Sequence, residues 1–287
     1  SYAEALAFAL EGAGEPAVDE RPAGEAAKLV ASRRTVPALT VRSLGPLEIY
    51  AAGRPVTGEA WAYAKPRELL LYLLAHPEGR TREQIGLDFW PDASPAQVKN
   101  NFHVTLHHVR KAIGRPELIR YDRGLYRVAE EEGVDFDAAR FEKTASEALG
   151  RLRRDPDDAA AAGDLRSALT LHRGPFLETE SAGDWHLALH DRLSRLHEDA
   201  LLALGAYHEA RGEHAAAAES YRGLVASDPL HEEAVRRLVG VLARDGRRAE
   251  ALRAFDRLER DLATELEAEP EPETLELVAR IRGGSLS

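Results

Sequence analysis

TREQIGLDFWPDASPAQVKNNFHVTLHHVRKAIG, residues 81–114, decides how the rest of the chain is read. It contains two helix starts of the same design. Thr81 and Gln84 form a Thr-x-x-Gln capping box, and the helix that follows stops at Pro91. Ser94 and Gln97 repeat the arrangement, with Pro95 at the first helical position. In such a box the hydroxyl takes the N3 amide while the N3 side chain reaches back to the N-cap amide, so two otherwise unpaired N–H groups are satisfied. At 100° per residue the second helix puts Val98, Phe102, Thr105, Val109 and Ile113 on one face, with Leu106 and Ala112 at its edges. The rest of its surface carries two asparagines, three histidines, two lysines and an arginine, and no carboxylate.

Working outward, KPRELLLYLLAH (65–76) has an apolar stripe through Leu69, Leu70, Leu73 and Leu74 and is closed by Pro77 and Gly79. ELIRYDRGLYRVAE (117–130) reads as two strands turning through Asp122-Arg123-Gly124. ALTVRSLG and PLEIYAAGRPV, upstream, alternate apolar and polar residues as hairpin strands do. A strand-rich start, three helices and a closing hairpin make a winged helix-turn-helix. Further upstream, SYAEALAFALEG reads as a short amphipathic helix and GAGEPAVDERPAGEAA as linker. With Ser1 at the start and no methionine, the chain reads as a segment of a longer or a processed protein.

From Val134 onward the pattern is helical, and it repeats. Gly212 and Gly246, Leu204 and Leu238, Ala217 and Ala251, and Tyr221 and Phe255 are each 34 residues apart, the period of tetratricopeptide (TPR) helix pairs. The expected fold class is mostly α: a winged helix-turn-helix (α+β) domain followed by an all-α TPR-like helical domain. The expected boundaries are 1–36 for a tail from an upstream region, 37–129 for the winged helix, and 134–282 for the helical domain.

Charge follows this division. Residues 33–128 hold fifteen basic side chains against nine acidic and are net +6, whereas residues 129–287 are net −13 within a chain of net charge −11. A basic block beside an acidic helical one suits a polyanion-binding domain joined to an interaction domain. The 94–114 helix then has the inventory of a reading head. Asn100, His103, Val104, His107 and Lys111 are expected to face base edges: asparagine offers a donor and an acceptor to adenine, histidine and lysine donate to guanine, and a valine meets the thymine methyl. Lys99, Arg110, Arg120 and Arg123 are expected to neutralise phosphates, with Arg123 at the tip of the hairpin.

Other chemistries find less in the sequence. His103 and His107, and His186 and His190 beside Asp191, have the i, i+4 spacing of a zinc pair, but no third ligand and no HExxH accompany them. No phosphate-binding glycine motif and no G-x-S-x-G elbow occurs, and zero cysteines exclude thiolate sites and disulfides. No catalytic residue, metal or cofactor is expected. No apolar run reaches the ~20 residues of a membrane span and no secretory signal opens the chain, so the expected location is cytoplasmic, without a membrane partner. The competing readings are a protein-interaction adaptor whose winged helix does not read DNA, and a metal-dependent enzyme. Arg151, Arg153 and Arg154, followed by Asp155, Asp157 and Asp158, read as a solvated loop rather than a site for a phosphorylated effector.

Residues 65–114, KPRELLLYLLAHPEGRTREQIGLDFWPDASPAQVKNNFHVTLHHVRKAIG, resemble the DNA-binding domain of SARP-type transcriptional activators, a branch of the OmpR-type winged helices. The resemblance rests on the leucine-rich first helix, the link from Gly79 to Glu83, the Phe89-Trp90-Pro91-Asp92 ending and the basic end before Ile113-Gly114. VDFDAARFEKTASEA (134–148), ALTLHRGPFLE (168–178), the TPR pair and ATELEAEPEPETLELVARI (263–281) resemble the bacterial transcriptional activation domain of the same family. This implies a sequence-specific regulator, commonly an activator, that binds repeated sites in double-stranded DNA and helps recruit RNA polymerase. Self-association on DNA and control by an upstream sensor region or a small effector belong to the same expectation. His108-Val109-Arg110-Lys111 departs from the Leu-Arg-Arg of many relatives, so the resemblance carries no operator sequence with it.

Overall fold

A computed structural model describes residues 36–58, 61–129, 133–178 and 183–284; the helix expected at 1–12 lies outside them. The described chain from Pro37 onward belongs to one unit. Its first helix, α1 (Ala64–Ala75), is a run of strong helix formers with Pro66 confined to the first turn, where a missing N–H costs nothing. It ends at His76, ahead of Pro77. Every residue from Glu68 to Leu74 is buried, not only the expected stripe, because the helical half of the molecule covers its second face.

Both capping boxes form as written in the sequence. Helix α2 (Arg82–Phe89) starts with Gln84 N donating to Thr81 Oγ1 (3.1 Å) and Thr81 N donating to Gln84 Oε1 (2.8 Å). Helix α3 (Pro95–Ile113) has the same pair at Ser94 and Gln97, and Gly114 closes it in the left-handed region at φ 64°. The two helices cross at Gly86, where a Cβ would lie 2.5 Å from Val98 Cγ1. Only glycine lets the turn be this tight.

Strand β1 (Leu39–Arg42) pairs antiparallel with β2 (Glu48–Ala51), which pairs antiparallel with β3 (Arg54–Pro55). Strands β4 (Ile119–Asp122) and β5 (Leu125–Val128) form the closing hairpin. The other side of β1 corrects the expectation that the chain is helical from Val134. Strand β6 (Val134–Phe136) pairs parallel to Leu39–Val41 and completes a sheet of order β3-β2-β1-β6. Three residues give no readable period, and it is the waiting edge of β1 that makes them a strand.

Asp137 follows at once and is fully buried. Its carboxylate accepts from Ser43 N (2.8 Å), Ser43 Oγ (2.9 Å) and Leu44 N (3.2 Å), so a buried charge is paired with three donors. Helix α4 (Asp137–Arg154) starts there and pairs with α5 (Ala159–Leu169). Glu68 makes a second tie: nearly buried, it takes Lys65 Nζ (2.7 Å), Gly183 N (3.0 Å) and Trp185 Nε1 (3.0 Å). One apolar core accordingly runs from the sheet through α1–α3 into α4, α5 and the long α6 (Leu187–Ala210).

The repeat is a structural one. Helices α6 and α7 (His214–Ser227) are followed by α8 (Glu232–Arg244) and α9 (Arg248–Glu265), with α10 (Pro272–Arg282) closing the array. Gly212 (φ 70°) and Gly246 (φ 75°) turn the two pairs, and Leu204, Leu238, Ala217, Ala251, Tyr221 and Phe255 are all buried. Gly205 lets the Tyr221 ring lie against the backbone of α6, since a Cβ there would stand 2.3 Å from the ring.

Candidate nucleic-acid interface

Helix α3 buries Phe102, Thr105, Leu106, Val109 and Ile113, and the Thr105 hydroxyl is satisfied by the Asn101 carbonyl (2.8 Å). What remains outside is one continuous surface. Lys99, Asn100, His103, His107 and Lys111 are exposed, and Val104 sits among them with 51% of its surface open. His108, half-buried, turns toward the exposed Tyr63 ring, 6.2 Å away and edge-on.

The β4–β5 hairpin lies beside this helix. Its two-residue turn is Arg123-Gly124, both at positive φ (50° and 86°), the twist that suits a tight hairpin. Arg123 is therefore exposed at the tip. Arg120 and Arg127 stand directly opposite each other across the strands, half-buried. A third segment joins the hairpin: Arg80 and Tyr126 exchange both backbone hydrogen bonds, at 2.9 and 2.8 Å. Tyr126 packs against Phe102 of α3 and against Tyr121, each 4.6 Å between ring centres, and burial raises its phenol pKa.

Arg110 is placed differently from the phosphate-facing role expected of it. Its Nη2 donates to the Ile119 carbonyl at 2.7 Å, while its Nε is buried without a partner among the described residues. The guanidinium ties the last turn of α3 to the first residue of the hairpin. Position carried the signal, since Arg110 lies one turn beyond Leu106, at the edge of the buried stripe. The exposed Tyr121 and Tyr63, flanking the same surface, were not singled out by sequence reasoning.

The remaining histidine and arginine clusters have structural partners. His186 Nδ1 is 2.6 Å from the Gly183 carbonyl and His190 Nδ1 is 3.1 Å from that of Phe176. Arg151 bridges Asp158 and Asp164 across the α4–α5 turn (2.9 and 2.8 Å), and Asp158 caps α5, while Arg153, Arg154, Asp155 and Asp157 between them are exposed, as expected of a solvated stretch. No described helix is long and apolar enough to cross a membrane.

A trihelical unit with a cationic, carboxylate-free third helix and an arginine-tipped hairpin, fused to TPR-like helix pairs, defines a winged-helix regulator. Comparison with known proteins gives the same class. The profile described as bacterial transcriptional activator domain matches residues 136–282. Regulatory protein AfsR of Streptomyces griseus is 30% identical over 272 residues, covering 86% of this chain and 25% of that protein. Regulatory protein DnrI of Streptomyces peucetius is 29% identical over 247 residues, covering 81% of this chain and 88% of its own length. The chain belongs to the bacterial transcriptional activator domain family, as a transcriptional regulator of the SARP type. It spans only about a quarter of AfsR, and the relatives named are regulatory proteins. Among solved structures, Mycobacterium tuberculosis EmbR in complex with a low-affinity phosphopeptide superposes with a TM-score of 0.63 at 22% identity, covering 86% of this chain and 66% of that one, a likeness of fold.

Proposed function

We propose that the chain is a sequence-specific DNA-binding activator in which α3 enters the major groove and the β4–β5 hairpin lies along the flanking backbone. The observation that carries this reading is the exposed face of α3. Asn100, His103, Val104, His107 and Lys111 share it, on a helix without a single carboxylate in a chain of net charge −11. These five side chains meet base edges; Lys99, Arg120 and Arg123 meet phosphates, and Arg110 positions the hairpin against α3. Residues 37–129 form the reading unit and 134–282 the activation unit, which contacts RNA polymerase when two copies occupy repeated sites. A further regulatory region or a small effector acts on the pair; the greater length of AfsR and the phosphopeptide bound by EmbR favour regulation by a sensor.

Duplex selection from a random pool tests the reading, run in parallel with a His107→Ala/Lys111→Ala variant. An enriched motif that the double substitution erases is the expected result, and the spacing of half-sites gives the number of copies bound. If nothing is enriched at ~50–100 mM salt, where phosphate contacts remain strong, the DNA-binding reading fails and the adaptor reading replaces it.

A further inference from the structure

The reading surface leaves unused a cleft of about 410 Å³ between the α1–α2 link and the beginnings of α4 and α6. We propose that this cleft is an effector site for an uncharged, hydroxyl-bearing aromatic molecule of two or three rings. Its volume lies within the range of small-molecule sites. Leu74, Phe136 and Leu189 give it an apolar floor, while Ala139 and Ala188, exposed and short, leave the space open.

The polar groups choose the chemistry. Both arginines of the rim are already held by carboxylates, Arg192 by Glu142 (2.6 Å) and Arg80 by Glu78 (2.8 Å), so no net charge gathers an ion. Trp185 lines the cleft with its ring, its N–H being committed to Glu68. His76 is the open hydrogen-bonding group. Its Nδ1 is 2.7 Å from the Tyr72 carbonyl, which can only accept, so Nδ1 carries a proton and, in the tautomer this contact selects, Nε2 is the ring's acceptor. That nitrogen takes a donor, a hydroxyl rather than a carboxylate. The His76 and Trp185 ring centres stand 6.4 Å apart and give the ligand aromatic walls.

The wall of the cleft is also part of the hairpin. His76, Pro77, Glu78 and Arg80 line one side, and Arg80 is the residue that pairs by backbone with Tyr126. A Cβ at Gly79 would meet Leu125 Cβ at 3.1 Å, so this link has no slack against β5. Tyr126 in turn packs on Phe102 of α3. A ligand that leans on the link therefore shifts the hairpin relative to the reading helix, and this consequence rests on the DNA-binding reading.

The test uses the whole chain and reads binding separately from DNA. 2-Naphthol is titrated while the indole N–H resonance of Trp185 is followed by NMR, with naphthalene and 2-naphthoate as matched probes. Saturable binding of 2-naphthol is expected, weakened at least tenfold by Ala139→Leu and by Ala188→Leu, two substitutions at exposed positions. His76→Phe should erase the preference for naphthol over naphthalene. A naphthoate that binds more tightly than naphthol would overturn the ligand class. No saturable shift, or one that survives both leucine variants, would overturn the site. Bound naphthol should change duplex affinity at least threefold in the parent chain and not in the leucine variants; an unchanged affinity sinks the coupling. If the parent binds no duplex at all, the DNA-binding reading fails while the Trp185 titration still decides the site.

Discussion

Lys99, His107 and Arg110 sit within three turns of one helix and are expected to fail in three different ways. In the proposed complex Lys99 meets phosphate, so in Lys99→Ala binding to all duplexes should weaken and the slope of log K against log salt should fall by about one. His107→Ala should cost ~1–3 kcal/mol on the selected site and relax one base position, leaving nonspecific binding almost unchanged. Arg110→Ala frees the Ile119 carbonyl and loosens the hairpin from α3. Its mark should be lost protection of the DNA backbone beside the hairpin, with the base preferences of α3 retained. A footprint in which Arg110→Ala behaves like Lys99→Ala would show the guanidinium to be a phosphate contact after all. The exposed members of this surface were legible in the sequence because a helical wheel separates faces. The turn of Arg110 toward the hairpin was not, since a wheel places a Cβ and says nothing of where six further atoms go.

At the scale of elements, legibility followed length and chemistry. The capping boxes at Thr81 and Ser94 and the Asp122-Arg123-Gly124 turn are local chemistry, so the sequence alone located α2, α3 and the hairpin. The 34-residue spacing likewise located two glycine turns and six buried side chains of the helix pairs. Strand β6 is too short to have a period, and only the free edge of β1 specifies it. The tight crossing at Gly86 is likewise set by a tertiary contact, with Val98, that no local pattern encodes. Val98 is β-branched and cannot swing its methyl clear, so Gly86→Ala should destabilise the chain by ~1–3 kcal/mol in urea unfolding. A second element-scale consequence concerns acid. His172, just after α5, stacks on His197 of α6 with ring centres 3.7 Å apart beside Phe141. Burial, joined at His197 by the charge of His172, lowers both pKa values to about 4. Between the ordinary histidine value of ~6.5 and about 4 the unfolded chain binds protons that the folded chain refuses, so stability rises with pH there. It should be level above ~pH 6.5 and fall by roughly 1–2 kcal/mol per ring by pH 4.5, part-exposure discounted. His197→Phe should flatten this limb, and an unchanged acid slope in that variant would assign it to other groups.

At the scale of the whole molecule, the sequence drew a boundary between Ala129 and Val134, and the structure stitches across it. Composition changes there, from basic to acidic, because the two halves present different surfaces to solvent. Their interiors do not change with it. Strand β6 completes the sheet of the winged unit, Asp137 holds the Ser43 and Leu44 amides, Glu68 holds Gly183 and Trp185, and one core spans both sides. A regulator built this way cannot move its winged unit freely against its helical half, so a signal reaching α4 or α6 is felt at β1 and α1. Asp137 is the place to test this. Removing its carboxylate leaves three buried donors unpaired, at roughly 1–3 kcal/mol for each unsatisfied group before relaxation. In Asp137→Ala the amides of β1 and the first turns of α4 should lose hydrogen-exchange protection together, and α1 should lose it by the same factor through the shared core. Protection lost in β1 alone would mean that the halves open independently, and the winged helix would then be a separate domain that merely touches its neighbour.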